Sequence, residues 1–409
     1  MQVSRAICLE DLRVEESAEG LEVSCACISD VGDFPGRLRA GIAGLEAGRA
    51  PDSLDWAAVA LLLPAMAEGR DIVVRGALSR RLLHALNHDI QGVLTVLAPE
   101  LRRIRIEAEA AAPDHRAPTG RIGTGFSAGI DSFATLSLYD PRSAEDTPKI
   151  TDLAVFDVGA FGPPGSAQAG ALFDRSARRC REVAARLGLG AVTVGSNLGA
   201  LYAGRFPFQR SHTLRNVAAA LLLGRHLDLH LYSSSYGPHH VAVQETHDIA
   251  FLDPVLLPML STGRMELYSA GAGLTRAEKT VRVARDPDAG TLLDVCITPA
   301  DRRPADRPNC SRCWKCRRAM VTFDLLGVLD DFAPVFDVAY YRRNRRRIHS
   351  QLAISARDGR LLDQEAIQWA REAGTEIRPT PADLLRWRVR RARSVAKRVF
   401  PFAGRMTAG

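Results

Sequence analysis

Apolar residues in the middle of the chain follow two spacings that alternate along the sequence. Short apolar runs predict buried strands at residues 122–126, 153–156, 191–194 and 228–232. Apolar residues at helical spacing predict helices that begin near residue 130, run over residues 177–187 and follow residue 216. Repeated strand and helix units predict an α/β fold with a parallel sheet, whose ligands bind at the carboxyl ends of its strands.

The first 115 residues lack this regular repetition. Predicted strands at residues 21–27, 71–74 and 103–108 are interspersed with helical runs at residues 56–67 and 82–97. We therefore predict a small α/β or α+β domain over residues 1–115, to which no motif gives a function. A stretch rich in alanine, proline and glycine, residues 111–120, marks its end.

The turn after the strand at residues 122–126 has the sequence Ser127-Ala128-Gly129-Ile130-Asp131-Ser132. Backbone N–H groups and the positive end of the helix dipole attract anions at such a helix start, and Gly129 allows close approach. Ser127 and Ser132 add hydroxyl donors, and Asp131 can hold a Mg²⁺ that bridges phosphate oxygens. The turn predicts a pyrophosphate site. The alternative is an ordinary β–α turn in which Asp131 and Ser132 only cap the helix.

This turn resembles the SGGxDS pyrophosphate loop of the N-type ATP pyrophosphatases, the PP-loop superfamily of AMP-forming enzymes, with Ala128 in place of the first glycine. The later Asp157-Val158-Gly159 and Arg215-Asn216 segments are similar to those of 7-cyano-7-deazaguanine synthases, the QueC family of that superfamily. The resemblance covers about residues 120–330 and implies a Rossmann-like sheet of the adenine nucleotide alpha hydrolase type. It also implies ATP and Mg²⁺ as cofactors, bound by the turn and by Asp157 and Gly159.

Two basic residues gain a role from the same resemblance. Arg215 suits two-pronged binding of phosphate or carboxylate, and Lys279 resembles a lysine that approaches the phosphates in the family. Both have an ordinary alternative. Arg215 equally suits capping or pairing at a helix start, and Lys279 equally suits a solvent-exposed position in the capped helix that begins at Thr275.

The second chemical signal is the spacing of four cysteines. Cys310, Cys313 and Cys316 are separated by two residues each, and Cys296 precedes them at the end of a strand predicted over residues 292–295. Four thiolates suit tetrahedral Zn²⁺ with every position filled, so we expect a structural zinc site. QueC-like proteins have the same arrangement. An iron–sulfur cluster is the alternative, and the residues between Cys296 and Cys310 predict an inserted surface loop.

A segment dense in polar residues follows the strand at residues 228–232. Its polar residues are Ser233, Ser234, Ser235, His239, His240, Gln244, Glu245, His247, Asp248 and Asp253. Because this segment leaves the carboxyl end of a strand of the same sheet, we expect it to bind the substrate and to admit the nucleophile.

The activity implied by the resemblance is the ATP-dependent activation of a carboxylic acid, followed by attack of ammonia or an amine on the acyl-adenylate. In the QueC family the acid is a carboxylated deazaguanine. The added regions favour a diverged member, from specialised metabolism or antiviral defence, in which the amine can belong to a protein. Two alternatives stay open. RNA thiolation would need a further cysteine such as Cys180, and a non-catalytic scaffold is favoured by Ala128.

Residues 331–409 predict a helical and basic region. A helix that starts at Thr380 has an apolar stripe and a basic opposite face. The stripe consists of Leu385, Val389, Ala392, Ala396 and Val399, and the basic face of Arg386, Arg390, Arg393 and Lys397. We favour a helix packed on the domain by its stripe. The formal net charge of +7 leaves nucleic acid as an alternative partner, although no aromatic surface for stacking bases is predicted here.

The remaining features set the expected cellular context. The longest apolar run, residues 56–67, is too short to cross a bilayer, and the N-terminal sequence lacks a signal-peptide pattern. Half of the eight cysteines belong to the metal cluster, which favours a reducing compartment. The other four, which we expect to be packing residues, are Cys8, Cys25, Cys27 and Cys180. We expect a cytoplasmic homo-oligomer that acts on small molecules and has no membrane partner.

Overall fold

The computed structural model describes residues 6–30, 34–113, 116–299 and 302–399, with the side chains of the last helix described as far as residue 392. The chain divides into two compact units, Met1–Leu274 and Thr275–Gly409. The structure thus divides the chain elsewhere than at the boundaries predicted near residues 115 and 330. The four-cysteine cluster belongs to the second unit, together with the C-terminal helices.

One ten-stranded, mostly parallel sheet flanked by helices forms the first unit, which confirms the α/β class. Its strands are β1 (Ile7–Ser17), β2 (Gly20–Ile28), β3 (Arg37–Ala43), β4 (Ile72–Ser79), β5 (Ile106–Ala112), β6 (Ile122–Gly125), β7 (Asp152–Asp157), β8 (Gly190–Ser196), β9 (Leu229–Ser233) and β10 (Glu266–Ala270). Its helices are α1 (Asp55–Glu68), α2 (Arg80–Ala85), α3 (Gln91–Leu97), α4 (Ile130–Leu138), α5 (Ala167–Leu187), α6 (His212–Leu221) and α7 (Asp253–Leu260). The strand order across the sheet is β10-β9-β6-β7-β8-β3-β2-β1-β4-β5.

The winding of the sheet reverses beside β6. Strands β6, β7 and β8 lie side by side in chain order, whereas β9 and β10 are added on the other side of β6, and all five are parallel. The turn that leaves β6 for α4 therefore lies next to the reversal. In open α/β sheets, ligand crevices form outside the carboxyl ends of the strands at such a point.

The N-terminal strands continue this sheet instead of forming a domain of their own. Strand β3 pairs antiparallel with β8, so that Ala40 lies opposite Ser196, and β2, β1, β4 and β5 follow outward. Helix α1 is buried on all sides from Asp55 to Met66 and packs against α6. An apolar run without a polar face, as at residues 56–67, is the expected sequence of such a fully buried helix.

The second unit is helical in its described residues. Its helices are α8 (Arg276–Val283), α9 (Ala289–Leu292), α10 (Trp314–Leu325), α11 (Val338–Arg357), α12 (Leu361–Glu372) and α13 (Pro381–Val399). The strand predicted over residues 292–295 is wrong, because Leu292 ends α9 and the residues after it form no strand. Here the Asn309 side chain accepts from the Val295 N–H at 2.9 Å and donates to the Leu293 carbonyl at 2.7 Å. The side-chain amide of Asn309 thus makes the backbone hydrogen bonds that a neighbouring strand would make in a sheet.

Helix α13 begins where the sequence predicts, but the predicted packing of its apolar stripe is wrong. Leu385 and Val389 are 63% and 44% exposed. Trp387 is partly buried instead, and its Nε1 donates to Asp358 Oδ1 at 2.7 Å. The side chains of the remaining predicted positions Arg393, Ala396, Lys397 and Val399 lie outside the described residues. Within the described ranges, the helices are all too short or too polar to cross a bilayer.

Candidate functional site

The predicted phosphate-binding turn joins the end of β6 to the start of α4. Ser127 is exposed and Ser132 is buried, and their hydroxyl oxygens lie 3.4 Å apart. The Gly129 N–H donates to Ser127 Oγ at 3.4 Å, and Ser132 Oγ donates to the Gly129 carbonyl at 3.1 Å. Gly129 is the N-cap of α4 and brings no capping side chain. The first turn of α4, which contains Asp131, therefore offers its N–H groups at the end of the helix, where an anion can bind.

Ala128 has the left-handed backbone conformation, with φ of 57°. This conformation is strained for alanine and is tolerated best by glycine. The residue is only 1% exposed, so its methyl group packs inside the protein and not on the open side of the turn. Ala128 therefore costs backbone strain but does not obstruct the turn.

Arg215 lies against the segment that follows β7, and protein groups hold its guanidinium. Its Nε donates to Ser211 Oγ at 2.8 Å, and its Nη1 donates to the Val158 carbonyl at 3.3 Å. The guanidinium carbon lies 4.2 Å from the centre of the Tyr202 ring, and the residue is 5% exposed. This environment fits the alternative role of Arg215, capping or pairing at a helix start, better than direct binding of phosphate.

Asp157 and Gly159 form a tight turn at the carboxyl end of β7. The Gly159 N–H donates to Asp157 Oδ1 at 3.2 Å, and burial raises the pKa of Asp157. Gly159 has φ of 88°, and a Cβ there would lie 3.0 Å from Arg215 Nη1 and 3.2 Å from the Cα of Gly199. Only glycine fits this position, so the segment has a defined shape at the end of the strand next to β6.

A hydrogen-bonded network that the sequence analysis did not predict lies after β9. His212, the first residue of α6, has its Nδ1 3.1 Å from the Tyr232 hydroxyl and its Nε2 3.2 Å from Asp248 Oδ1. The Tyr236 hydroxyl donates to Asp248 Oδ2 at 2.9 Å. Burial would raise the pKa of Asp248, but hydrogen bonds from His212, the Ala250 N–H and Tyr236 outweigh it and lower the pKa. The result is an imidazole held between an ionised carboxylate and a phenol.

Tyr236 and Asp248 both lie in the predicted polar segment, but Asp248 alone is among the polar residues that the sequence analysis names there. His212 precedes the Arg215-Asn216 pair by a few positions, and its only sequence signal is its place at a helix start. Among the other predicted residues, Asp253 is fully buried and accepts from Thr213 Oγ1 at 2.6 Å, and Ser234 Oγ donates to the Tyr236 carbonyl at 2.8 Å. The exposed members are His239, Gln244, Glu245 and His247.

Strands β9 and β10 carry buried polar atoms without a hydrogen-bond partner among the described residues. They are Ser233 Oγ and Ser269 Oγ toward the carboxyl ends of the two strands, and His230 Nδ1 near the amino end of β9. Burial lowers the pKa of His230 to about 4, so the ring is neutral at pH 7. Buried polar atoms of this kind cost free energy unless water or a ligand satisfies them. Ser233 ends the strand next to β6, so polar groups that can meet a ligand lie near the reversal of the sheet.

The four predicted cysteines come together in the second unit, where they could hold a metal ion such as zinc. Their sulfur atoms all lie within 4.8 Å of one another, with Cys313 and Cys316 at 3.3 Å and Cys310 and Cys316 at 4.0 Å. Sulfur atoms around tetrahedral Zn²⁺ are about 3.8 Å apart for Zn–S bonds of about 2.3 Å. Hydrogen bonds from Cys313, Cys316 and the Cys310 N–H lower the pKa of Cys296, and the hydrogen bonds to Cys296 raise the pKa values of Cys313 and Cys316, so these contacts favour the thiolate form at Cys296.

Residues around the cluster hold its loop in place. The N–H groups of Arg312 and Cys313 donate to Cys310 Sγ at 3.4 and 3.2 Å. Arg303 donates to the Cys296 carbonyl at 2.7 Å and to the Asp294 carboxylate at 3.0 and 3.1 Å. The loop that the sequence predicts as a surface insertion is thus tied to the cluster through Arg303. Such outer contacts orient metal ligands.

Lys279 lies on α8, in the second unit, and is 1% exposed. The alternative of a solvent-exposed helix lysine is therefore wrong. The predicted capped helix start is confirmed, since Thr275 Oγ1 accepts from the Glu278 N–H and the Glu278 side chain accepts from the Thr275 N–H. A buried ammonium group needs hydrogen-bond acceptors or negative charge around it. The ammonium group of Lys279 therefore has a partner inside the protein.

Comparison of the chain with protein-family models, with curated proteins and with solved structures finds no match in any of the three.

Proposed function

We propose that the chain is an AMP-forming enzyme of the PP-loop type, similar to the QueC family, that activates a carboxylic acid with ATP. The observation that carries this proposal is the position of the turn at residues 127–132. It follows β6 beside the reversal of a parallel sheet and opens α4 at Gly129. The strand order β8-β7-β6-β9-β10 supports a Rossmann-like sheet, and nucleotides bind at the reversal of such sheets.

The proposed reaction begins when a carboxylate oxygen attacks the α-phosphorus of ATP. The bond from this phosphorus to the bridging oxygen breaks, and pyrophosphate leaves toward the turn. Charge that develops on the leaving group would be stabilised by the first-turn N–H groups of α4 and by the hydroxyls of Ser127 and Ser132. The hydroxyl oxygens of Ser127 and Ser132 and the carboxylate of Asp131 are ligands that suit Mg²⁺. A bound Mg²⁺ would further neutralise the charge of the phosphates.

In the second step, ammonia or an amine attacks the acyl carbon and AMP leaves. The nitrogen must lose a proton as the new bond forms, and His212 is the candidate that accepts it. With its Nε2–H donated to Asp248, the basic nitrogen is Nδ1, so the proton passes through the Tyr232 hydroxyl, which gives its own proton to Nδ1 and takes that of the amine. The hydrogen bond from His212 to Asp248 fixes the ring and stabilises the imidazolium. Arg215 acts as a positioning residue through Val158, and the cysteine cluster acts as a structural zinc site. The acid proposed from the family resemblance is a 7-deazaguanine carboxylic acid, and the product is its amide or a conjugate with a protein amine. A nitrile forms only if a second ATP adenylates the amide oxygen, which then leaves with AMP.

RNA thiolation has less support, because it needs an accessible cysteine outside the metal cluster. Cys180 is fully buried, and burial raises its pKa to about 12. Burial likewise raises the pKa of Cys25 to about 12 and those of Cys8 and Cys27 to about 11. Thiols with such pKa values are almost entirely protonated at pH 7 and are poor carriers of sulfur.

The proposal is tested by incubation of the protein with ATP, Mg²⁺, ammonium and a panel of carboxylic acids that includes deazapurine acids. We expect AMP and pyrophosphate in equal amounts, with an amide or nitrile identified by mass spectrometry. Asp131→Ala should abolish the release of pyrophosphate, and Asp140→Ala, beyond the other end of α4, should not. Absence of ATP binding in the wild-type protein would favour the scaffold alternative instead.

A further inference from the structure

A cavity of about 460 Å³ lies within the second unit, among helices α10 to α13. Its volume falls in the range of pockets that hold small organic ligands, about 300–1,000 Å³. Neither the cysteine cluster nor the turn at residues 127–132 contributes to its lining. It is therefore a separate candidate site that the proposed function does not use.

Two tryptophans line this cavity, Trp314 from α10 and Trp387 from α13. Trp314 is 36% exposed, and the Arg360 guanidinium lies 5.9 Å from its ring centre. The hydrogen bond from Trp387 Nε1 to Asp358 uses the edge of the indole, and the Arg391 guanidinium lies 5.3 Å from the ring centre, so one face of the ring is left for packing against a ligand. The structure thus supplies the aromatic surface beside the basic helix that the sequence analysis did not expect.

Four arginines share the lining with the tryptophans: Arg317, Arg360, Arg386 and Arg390. The side chains of Arg386 and Arg390 are 80% and 63% exposed, so they can turn toward a bound anion. Guanidinium groups pair with phosphate or carboxylate in two-pronged fashion and also stack on aromatic faces.

The three carboxylates of the lining already have partners. Asp363 is 2% exposed and accepts from the buried Arg318 at 2.7 Å. Asp383 accepts from Ser350 and Thr380 at 2.7 and 2.8 Å, and these hydrogen bonds lower its pKa. Asp358 accepts from Trp387 and Arg390. Because neutral donors and arginines surround these carboxylates, they oppose an anion less than isolated carboxylates would.

We propose that this cavity is a second binding site, and that it takes a planar aromatic anion of nucleotide type. The aromatic ring packs against Trp387 and Trp314, and the phosphate or carboxylate meets Arg386 and Arg390. The site does not depend on ATP turnover, and its ligand is a free nucleotide.

The experiment titrates the full chain with 5′-GMP and follows calorimetric heat and tryptophan fluorescence. We expect fluorescence quenching and a dissociation constant of about 1 mM or lower. Trp387→Leu should weaken binding about tenfold or more, because stacking of a base on an aromatic side chain is lost, whereas Trp387→Phe should retain most of the affinity. Arg386→Gln together with Arg390→Gln should weaken binding of GMP but not of guanosine.

Two matched variants distinguish GMP bound in this cavity from GMP bound at the turn of residues 127–132 or elsewhere on the second unit. Trp369→Phe, on α12 and outside the lining, should leave affinity unchanged, and Asp131→Ala should also leave it unchanged because that residue belongs to the first unit. Loss of GMP binding in Asp131→Ala, unaltered binding in Trp387→Leu, or no binding to the wild-type chain at millimolar GMP would each overturn the proposal. Thermal unfolding of each variant confirms that it is folded.

Discussion

Nε2 of His212 lies 3.2 Å from Oδ1 of Asp248, and this hydrogen bond aligns the imidazole at the start of α6 with the segment that leaves β9. If His212 accepts the proton of the attacking amine, His212→Gln should lower the rate of product formation about a hundredfold. The affinity for ATP should stay unchanged. His247→Gln, an exposed histidine of the same segment, is the control. Equal rates in both variants would exclude His212 from the reaction.

Asp152 should govern acid stability. Burial would raise its pKa, but hydrogen bonds from His226 and Arg121, at 3.1 and 3.0 Å, lower it to about 2. Because this folded-state pKa lies below the value of about 3.9 for an unfolded aspartate, the carboxylate stabilises the fold above pH 4, and this stabilisation is lost as the pH falls toward 2. Denaturant unfolding at several pH values measures it.

Asp152→Asn should lower the free energy of unfolding by about 2 kcal/mol at pH 7, because the buried His226 and the partly exposed Arg121 lose the negative charge of their partner. It should also flatten the pH dependence between pH 4 and pH 2. Asp146→Asn, at an exposed position before β7, should do neither. A wild-type protein whose unfolding free energy is constant down to pH 2 would contradict this assignment.

Ala128→Gly should destabilise the protein by at least about 1 kcal/mol less than Ala134→Gly within α4. Both substitutions remove a buried methyl group and add the entropic cost of glycine, about 0.5–1 kcal/mol. Only Ala128→Gly also relieves a left-handed conformation, which gains about 1–2 kcal/mol. Chemical denaturation measures both changes. Equal losses of stability in the two variants would mean that the turn does not have this backbone conformation.

Cys313→Ser should release bound zinc and lower the unfolding free energy of the second unit by at least about 3 kcal/mol, since metal binding contributes directly to folding. Elemental analysis and thermal unfolding measure both effects. Cys180→Ala removes a buried thiol in the first unit and should retain the full zinc content. Wild-type protein that contains iron and absorbs visible light would instead favour the iron–sulfur alternative.

The sequence predicts much of the central sheet, because β6, β7, β8 and β9 are apolar enough to be recognised without their neighbours. Strand β3 is not predicted, because its alternation of Leu38, Ala40 and Ile42 with more polar positions is too short to identify a strand by itself. Pairing with both β2 and β8 fixes it as a strand. The pattern at residues 292–295 predicts a strand wrongly, because the distant Asn309 satisfies its backbone. In both cases, contacts with residues distant in the sequence decide whether a strand forms, and a local pattern of residues does not reveal such contacts.

The candidate site divides in the same way. The turn and the cysteines are visible in sequence because their residues are close together in the chain. Joining His212 to Asp248 depends on the approach of α6 to the segment after β9, which no local spacing reveals. The exposure of Leu385 and the burial of Trp387 likewise depend on how α13 lies on the second unit.

The most direct test is an experimental structure of the protein with ATP and Mg²⁺. The proposal predicts that the two terminal phosphates lie at the start of α4, within hydrogen-bonding distance of the N–H groups and hydroxyls of residues 127–132. A triphosphate bound elsewhere on the protein, or a turn closed over by side chains while ATP is bound, would contradict it.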